Sequence, residues 1–307
     1  MTIDKSLAIV MCTFNGEKFL QPQLDSFADQ SFKNWSLFVY DDKSIDSTEN
    51  LVKIFGQSYS TCFASNNVAL GFAKNFLNGI ASTPDNFDFY ALSDQDDIWL
   101  ADKLKKAISY LEKLDKNTPA LYCTRTILVD STGNNIGFSP LFIKKPSFAN
   151  ALVQSIAGGN TMVFNRAARN LITKVGSNID IVSHDWFIYQ LISGAGGIVY
   201  YDSNPELLYR QHSNNLIGSN NGFFARLSRV RLLLNSSFRS WNDRNLKVLK
   251  DNSKLLTEEN RNKLEIFLKS RESSIFKRLC GFAKCGIYRQ TLLGNIALFI
   301  GGILNKI

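Results

Sequence analysis

Short, unbroken apolar runs alternate with amphipathic stretches through the first half of the chain, and this alternation restricts the fold more than any other feature. Leu7 to Cys12, Leu37 to Tyr40, Thr61 to Ala64, Phe89 to Ser93 and Leu121 to Thr124 read as strands. Glu17 to Phe27, Ser47 to Phe55, Phe72 to Ile80 and Ile98 to Leu114 read as helices. A strand covered on one face alternates apolar with polar residues, whereas one covered on both faces is apolar throughout. The expectation is an α/β chain with a mostly parallel central sheet flanked by helices. Ligands of such sheets bind beyond the carboxyl ends of the strands. Those ends are unusually polar here: Thr13, Asn15 and Glu17 follow the first run, Asp41, Asp42, Ser44 and Asp46 the second, and Asp94, Asp96 and Asp97 the fourth.

With 307 residues, 45% of them hydrophobic and 20% charged, the chain can build one large domain plus an appendage, and disorder is excluded as its main state. Its five cysteines form no Cys-x-x-Cys pair, which fits a reducing compartment and not a structural zinc site. No basic stretch followed by an apolar run opens the chain, so neither a signal peptide nor an N-terminal anchor is expected. The most apolar segment, Leu292 to Leu304, is interrupted by Asn295 and three glycines. It falls short of the roughly 18 residues of a spanning helix and suits a position on a membrane better than across one.

Charge divides sharply along the chain. Residues 1–209 carry 17 basic against 21 acidic side chains, whereas residues 210–307 carry 18 against 6. A basic C-terminal third meets something anionic, such as phospholipid headgroups, a lipid-linked diphosphate or nucleic acid.

The densest chemical signal is Asp94-Gln95-Asp96-Asp97, three carboxylates in four residues at the end of an apolar run. Carboxylates so crowded repel unless a cation or hydrogen-bond donors neutralise them. Mg²⁺ or Mn²⁺, with diphosphate oxygens completing its shell, would do so. The plainer alternative is that Asp96 or Asp97 caps a helix starting near Ile98, although a cap needs only one acid. The spacing excludes an EF-hand, since neither the glycine nor the terminal glutamate follows.

Four segments in order, Thr13-Phe14-Asn15-Gly16-Glu17, Asp41 to Thr48, Asp94-Gln95-Asp96-Asp97 and His184-Asp185-Trp186, together resemble the family 2 inverting glycosyltransferases of GT-A fold, over about residues 6 to 215. Ser183 to Trp186 with Tyr209-Arg210-Gln211-His212-Ser213-Asn214-Asn215 is similar to the bacterial surface-polysaccharide enzymes of that family, rhamnosyltransferases among them. The resemblance implies that Thr13, Asn15, Glu17 and Asp42 line the base and ribose, that Asp94 approaches the ribose, and that Asp96 holds the metal, Mn²⁺ or Mg²⁺. It also makes Asp185 the general base that takes the acceptor's proton; alternatively Ser183 to Asp185 caps the helix Trp186 to Ile192. Where the family usually has an acid, this chain has His184, whose role stays open. Lys74 either meets the nucleotide or is a solvated lysine. Arg210 offers a fixed positive charge to the leaving diphosphate. His212, one of only two histidines, completes the metal site, faces the diphosphate or is structural.

The implied partners are a nucleotide-diphosphate sugar donor, dTDP-L-rhamnose or a UDP-hexose, and a polyprenyl-diphosphate-linked oligosaccharide acceptor on the inner face of the bacterial cytoplasmic membrane. Residues 1–215 are expected to form the catalytic domain and 216–307 a helical, basic, membrane-associating extension. Within the extension, Phe223, Leu227, Val230 and Leu234 make an apolar stripe flanked by Arg226, Arg229 and Arg231. The alternative for the extension is a helical subdomain packed on the catalytic body. A sugar nucleotidyltransferase would want a Gly-rich loop after the first strand, which Thr13-Phe14-Asn15-Gly16 is not. No nucleic acid is expected as partner, because the tail has no binding motif and no aromatic residues interleaved for base stacking.

Overall fold

The computed structural model describes residues 5–212 and 236–307. Within the described residues the elements run β1 (Leu7–Thr13), α1 (Glu17–Ala28), β2 (Trp35–Asp41), α2 (Thr48–Phe55), β3 (Thr61–Ser65), α3 (Phe72–Ser82), β4 (Phe89–Ser93), β5 (Ile98–Trp99), α4 (Lys103–Leu111), β6 (Ala120–Val129) and β7 (Asn135–Phe138). They continue with α5 (Phe148–Ala151), β8 (Val163–Asn165), α6 (Arg166–Val175), α7 (His184–Gly194), β9 (Ile198–Arg210), α8 (Ser236–Asp251), α9 (Glu258–Arg271), α10 (Ile275–Cys285) and α11 (Leu292–Ile303).

All these strands share one sheet in the order β3-β2-β1-β4-β8-β6-β9-β5, with β7 hung on β6. The block β3, β2, β1, β4 is parallel, as is the pair β6 and β9, while β8 between the two blocks is antiparallel to both neighbours. Every residue of β1 is buried, with Ala8, Val10 and Cys12 in the core on one face and Leu7, Ile9 and Met11 in that on the other. The unbroken apolar run is thus two half-buried faces read together. α1, α2 and α4 cover one face of the sheet; α3, α5, α6 and α7 cover the other. Because β8 runs backwards, its entry turn Gly159–Thr161 meets the carboxyl ends of β1, β2, β4, β6 and β9 at one rim.

Two expectations change. Ile98 does not begin a helix: Ile98 and Trp99 pair antiparallel with Leu208 and Leu207 of β9, and α4 starts only at Lys103. Trp99 is buried edge-on against Phe27, 4.7 Å between ring centroids, and strand pairing plus that burial outweighs local helical preference. Neither Asp96 nor Asp97 can therefore cap that helix. Strand β9 escapes sequence reading, because Asp202-Ser203-Asn204-Pro205 inside it resembles a turn. A hairpin turn at Asp130 to Asn134 joins β6 to β7, and the Gly159–Thr161 turn leads into β8. The helix expected over Phe223 to Leu234 lies outside the described residues.

Helices α8 to α11 pack on the body, and Phe238, Leu246, Leu249, Phe267 and Phe282 belong to the same hydrophobic cluster as α5 and α7. Asn245 of α8, fully buried, accepts from Val182 N at 3.1 Å and donates to Gln190 Oε1 at 3.0 Å. It thereby holds the segment leading into α7. Replacing it, Asn245→Ala, should cost about 2 kcal/mol of stability by orphaning these groups. Urea unfolding checks this, and a loss under about 0.5 kcal/mol would mean the bonds carry no weight.

Candidate active site

Three loops build the rim, and they are laced to one another before any ligand is considered. Thr13, at the end of β1, donates to Asp41 Oδ1 of β2 at 2.8 Å, and Asp41 also accepts from Ser44 N at 2.8 Å. Asn15 adopts a left-handed backbone (φ 48°), which turns its Oδ1 to Ile45 N at 2.9 Å. Glu17 accepts from Ser47 N at 2.7 Å. Both oxygens of Asp42 are engaged, by Leu70 N at 2.7 Å, Gly71 N at 2.8 Å and Asn66 Nδ2 at 3.0 Å. The polar atoms that the sequence assigned to a nucleotide thus also shape the loops that border its place.

Gln95 joins the third loop to the first. Its Oε1 accepts from Phe14 N at 2.9 Å and its Nε2 donates to Phe14 O at 3.0 Å, so the side chain closes the loop as a strand would. A Cβ on Gly16 would collide with this amide, which explains the glycine.

The acids of Asp94 to Asp97 divide by environment. Burial, then the charges of Asp96 and Asp185, push the Asp94 carboxyl well above the usual carboxylate range. Asp185, in the first turn of α7, is therefore close enough to act on Asp94. Its Oδ1 accepts from Trp186 N at 2.8 Å, and among the described residues nothing is hydrogen-bonded to its Oδ2. Asp97 is fully buried, accepts a short hydrogen bond from Asn160 Nδ2, and accepts from Arg210 N at 3.3 Å. Burial and the charges of Asp96 and Asp94 raise its pKa as well, opposed by those two bonds.

Asp96 points the other way, onto His212: Nε2 and Oδ2 are 2.8 Å apart. The imidazole stacks on Phe19 with centroids 4.8 Å apart, and the Arg210 guanidinium lies 5.0 Å over the same ring. Arg210 also donates to Asp96 O at 3.1 Å and to Ser131 O at 3.3 Å. Phe19 and Asn160 carry no sequence signal for these tasks, since a phenylalanine in an amphipathic helix reads as core and an asparagine after two glycines as turn.

The structure brings Asp94, Asp96, Asp185, Arg210 and His212 together. Lys74 stands apart in the first turn of α3, its Nζ 3.5 Å from Asn178 Oδ1. His184 has become packing: it is buried, stacks on Phe76 at 3.9 Å, and neither ring nitrogen has a partner. A Cβ at Gly159 would strike its ring. Burial lowers its pKa to about 4, against a small opposing pull from Asp185. Ser183 makes no capping bond for α7.

Residues 8–170 match the model described as "Glycosyl transferase family 2". The chain belongs to that family. It is a glycosyltransferase of GT-A fold, and over 244 residues it is 33% identical to dTDP-rhamnosyl transferase RfbG of Shigella flexneri, covering 75% of this chain and 81% of that one. Over 119 residues, 36% of the chain and 42% of the relative, it is 30% identical to UDP-Glc:alpha-D-GlcNAc-diphosphoundecaprenol beta-1,3-glucosyltransferase WfgD of Escherichia coli. Among solved structures, S. aureus TarS 1-349 in complex with UDP-GlcNAc shares the fold at TM-score 0.54 and 14% identity, over 91% of this chain and 89% of that one. The mannosyltransferase PcManGT from Pyrobaculum calidifontis, in complex with GDP-Man and Mn²⁺, does so at TM-score 0.51 and 14% identity, over 99% and 86%.

The burial of His184 is testable through stability. Between the ordinary pKa of 6.5 and its folded value of about 4, the unfolded chain holds a proton that the folded protein lacks. Stability therefore falls as pH drops through that window and levels off below it. Lowering the pH from about 6.5 to about 5 should cost the native protein about 2 kcal/mol more than His184→Phe. Urea unfolding of both at the two pH values tests this, and identical pH dependence would show that the ring ionises in place.

Proposed function

We propose that the enzyme transfers L-rhamnose, with inversion, from a dTDP-linked donor to a hydroxyl of a polyprenyl-diphosphate-linked oligosaccharide, in surface-polysaccharide synthesis on the inner face of the bacterial cytoplasmic membrane. The observation that carries the chemistry is the convergence of Asp94, Asp96, Asp185, Arg210 and His212 at one rim. The donor follows from the likeness to dTDP-rhamnosyl transferase RfbG, and the lipid-linked acceptor from the diphosphoundecaprenol in the name of WfgD. That second name also favours a UDP-hexose as the alternative donor.

A divalent cation fits the donor set. Among the described residues no three His, Cys, Asp or Glu side chains gather to hold a metal by themselves, so Asp96 and His212 would supply two ligands and the donor diphosphate the rest. Burial and the charges of neighbouring acids raise the proton affinity of Asp94 and Asp97, and a cation would relieve that crowding of charge. Mn²⁺ or Mg²⁺ bound there would draw off the negative charge of the diphosphate.

The chain's own residues do the remainder. Thr13, Asn15, Glu17 and Asp42 shape the wall for base and ribose, and Asp94 turns toward the ribose. Asp185 Oδ2 accepts the proton of the acceptor hydroxyl. The electron pair of the acceptor's hydroxyl oxygen forms the new bond to the anomeric carbon while the bond from carbon to diphosphate oxygen breaks and its pair leaves with the nucleotide. Arg210, fixed over Phe19, meets the departing charge. The basic C-terminal third makes an anionic membrane surface its partner.

Asp185→Asn should lower kcat by about 10²- to 10⁴-fold while leaving nucleotide-diphosphate binding unchanged. Asp96→Asn should abolish the metal-dependent part of that binding. Turnover with a donor panel and thermal shift with and without Mn²⁺ check both. Near-normal turnover of Asp185→Asn would remove it as base, and a stability shift with UDP-hexoses alone would replace the donor.

A further inference from the structure

The last described helix turns the wrong face to solvent. On α11 the outward positions Leu292, Leu293, Ile296, Phe299, Ile300 and Ile303 are between 37% and 78% exposed, and the helix holds no charged residue. Its inward side is already satisfied: Ala297, Leu298, Gly301 and Gly302 are buried, and Gly302 lets Phe282 and Leu279 of α10 approach closely. Arg278 of α10 locks the pair by donating to Gly302 O at 2.9 Å. Single exposed apolar residues are ordinary; a row of them at helical spacing, uncovered by any described residue, is not.

We propose that this face, with Phe276 of α10 and Ile143 of the loop after β7, lies flat on an anionic phospholipid bilayer. Phe276 and Ile143 are included because each is a large apolar side chain left open, 80% and 82% exposed respectively. The loop is sewn to the start of α11 by Lys144 N to Gln290 Oε1 and Gln290 Nε2 to Lys144 O, both 2.9 Å. Twelve residues span about 18 Å, against the roughly 30 Å of a bilayer's hydrocarbon, and no described helix is long and apolar enough to cross. The helix therefore rests in the interface plane, apolar side down.

Charge selects the occupant. From Ser273 to Ile307 the chain has five basic residues and no acidic one. Lys277 follows Phe276, and Lys144 and Lys145 follow Ile143, all three exposed. A second copy would bring like charges together, whereas anionic headgroups complement them. The segment 131–147 also borders the active site, where Ser131 O receives Arg210, so one stretch of chain joins the rim to the apolar face. On the reading that the acceptor is lipid-linked, this seats the rim near the acceptor's membrane end.

Vesicle flotation of the full chain tests the proposal without donor or acceptor, so its failure would leave the proposed chemistry standing. Binding to phosphatidylglycerol/phosphatidylethanolamine vesicles should exceed binding to phosphatidylcholine by about tenfold or more. The double variant Ile296→Glu, Phe299→Glu should lose at least about tenfold in binding, at unchanged melting temperature and molecular size. Lys144→Gln with Lys145→Gln and Lys277→Gln should lose the salt-sensitive part alone. Absence of binding by the native chain, or equal binding by the double variant, would overturn the proposal. So would a native dimer that the double variant dissolves, or a fall in its melting temperature, which would show the face packed against another copy or against the chain itself.

Discussion

A single buried carboxylate, Asp97, holds the rim together. Its oxygens take Asn160 from the turn before β8 and the backbone of Arg210 at the end of β9, so three distant segments meet at the end of β4. Without those donors the group would sit charged and unsolvated, a costly state. Behind it lies Lys103, fully buried, its Nζ 3.6 Å from the Trp99 ring and without a hydrogen-bond partner. Burial pulls that amine down to about pKa 7, and the charges of Asp97 and Glu206 resist the fall. The amine is thus only partly charged near neutral pH, and it sits fully buried beneath the acids of the rim.

The arrangement of the acids follows from this anchoring. With the end of β9 fixed by Asp97, Arg210 and His212 come down onto Phe19 and Asp96, while Asp94 faces inward toward Asp185. One short acidic run points its members in different directions: Asp97 into the fold, Asp96 onto His212 and Asp94 toward Asp185. The network around Asp41, Asp42, Asn15 and Glu17 has a related effect: it preorganises two loops at the cost of carboxylates that are already engaged.

The C-terminal helices serve two sides. Inward, α8 braces the entry to α7 through Asn245, and with it the position of Asp185. Outward, α11 leaves its apolar row open. The readings of the tail as a packed subdomain and as a membrane-facing element are therefore compatible, because different faces of the same helices carry them.

Local patterning determined the sheet's class, the positions of β1, β2 and β4, and the acids at their ends, because runs covered on both faces, turns and dense carboxylates leave their mark in neighbouring residues. The motifs around Asp94 and His184 likewise led to the family, since they recur in order along the chain. Tertiary structure alone decided that Ile98 and Trp99 form a strand, that Asp97 is an anchor and not a cap, that His184 is packing, and that Phe19, Gln95 and Asn160 serve the rim. Each of those outcomes depends on a partner about 60 to 190 residues away, such as Leu208 for Ile98, Asn160 for Asp97, His212 for Phe19 and Phe14 for Gln95. Hydrogen bonding and desolvation act on what is adjacent in space, and only folding makes those residues adjacent.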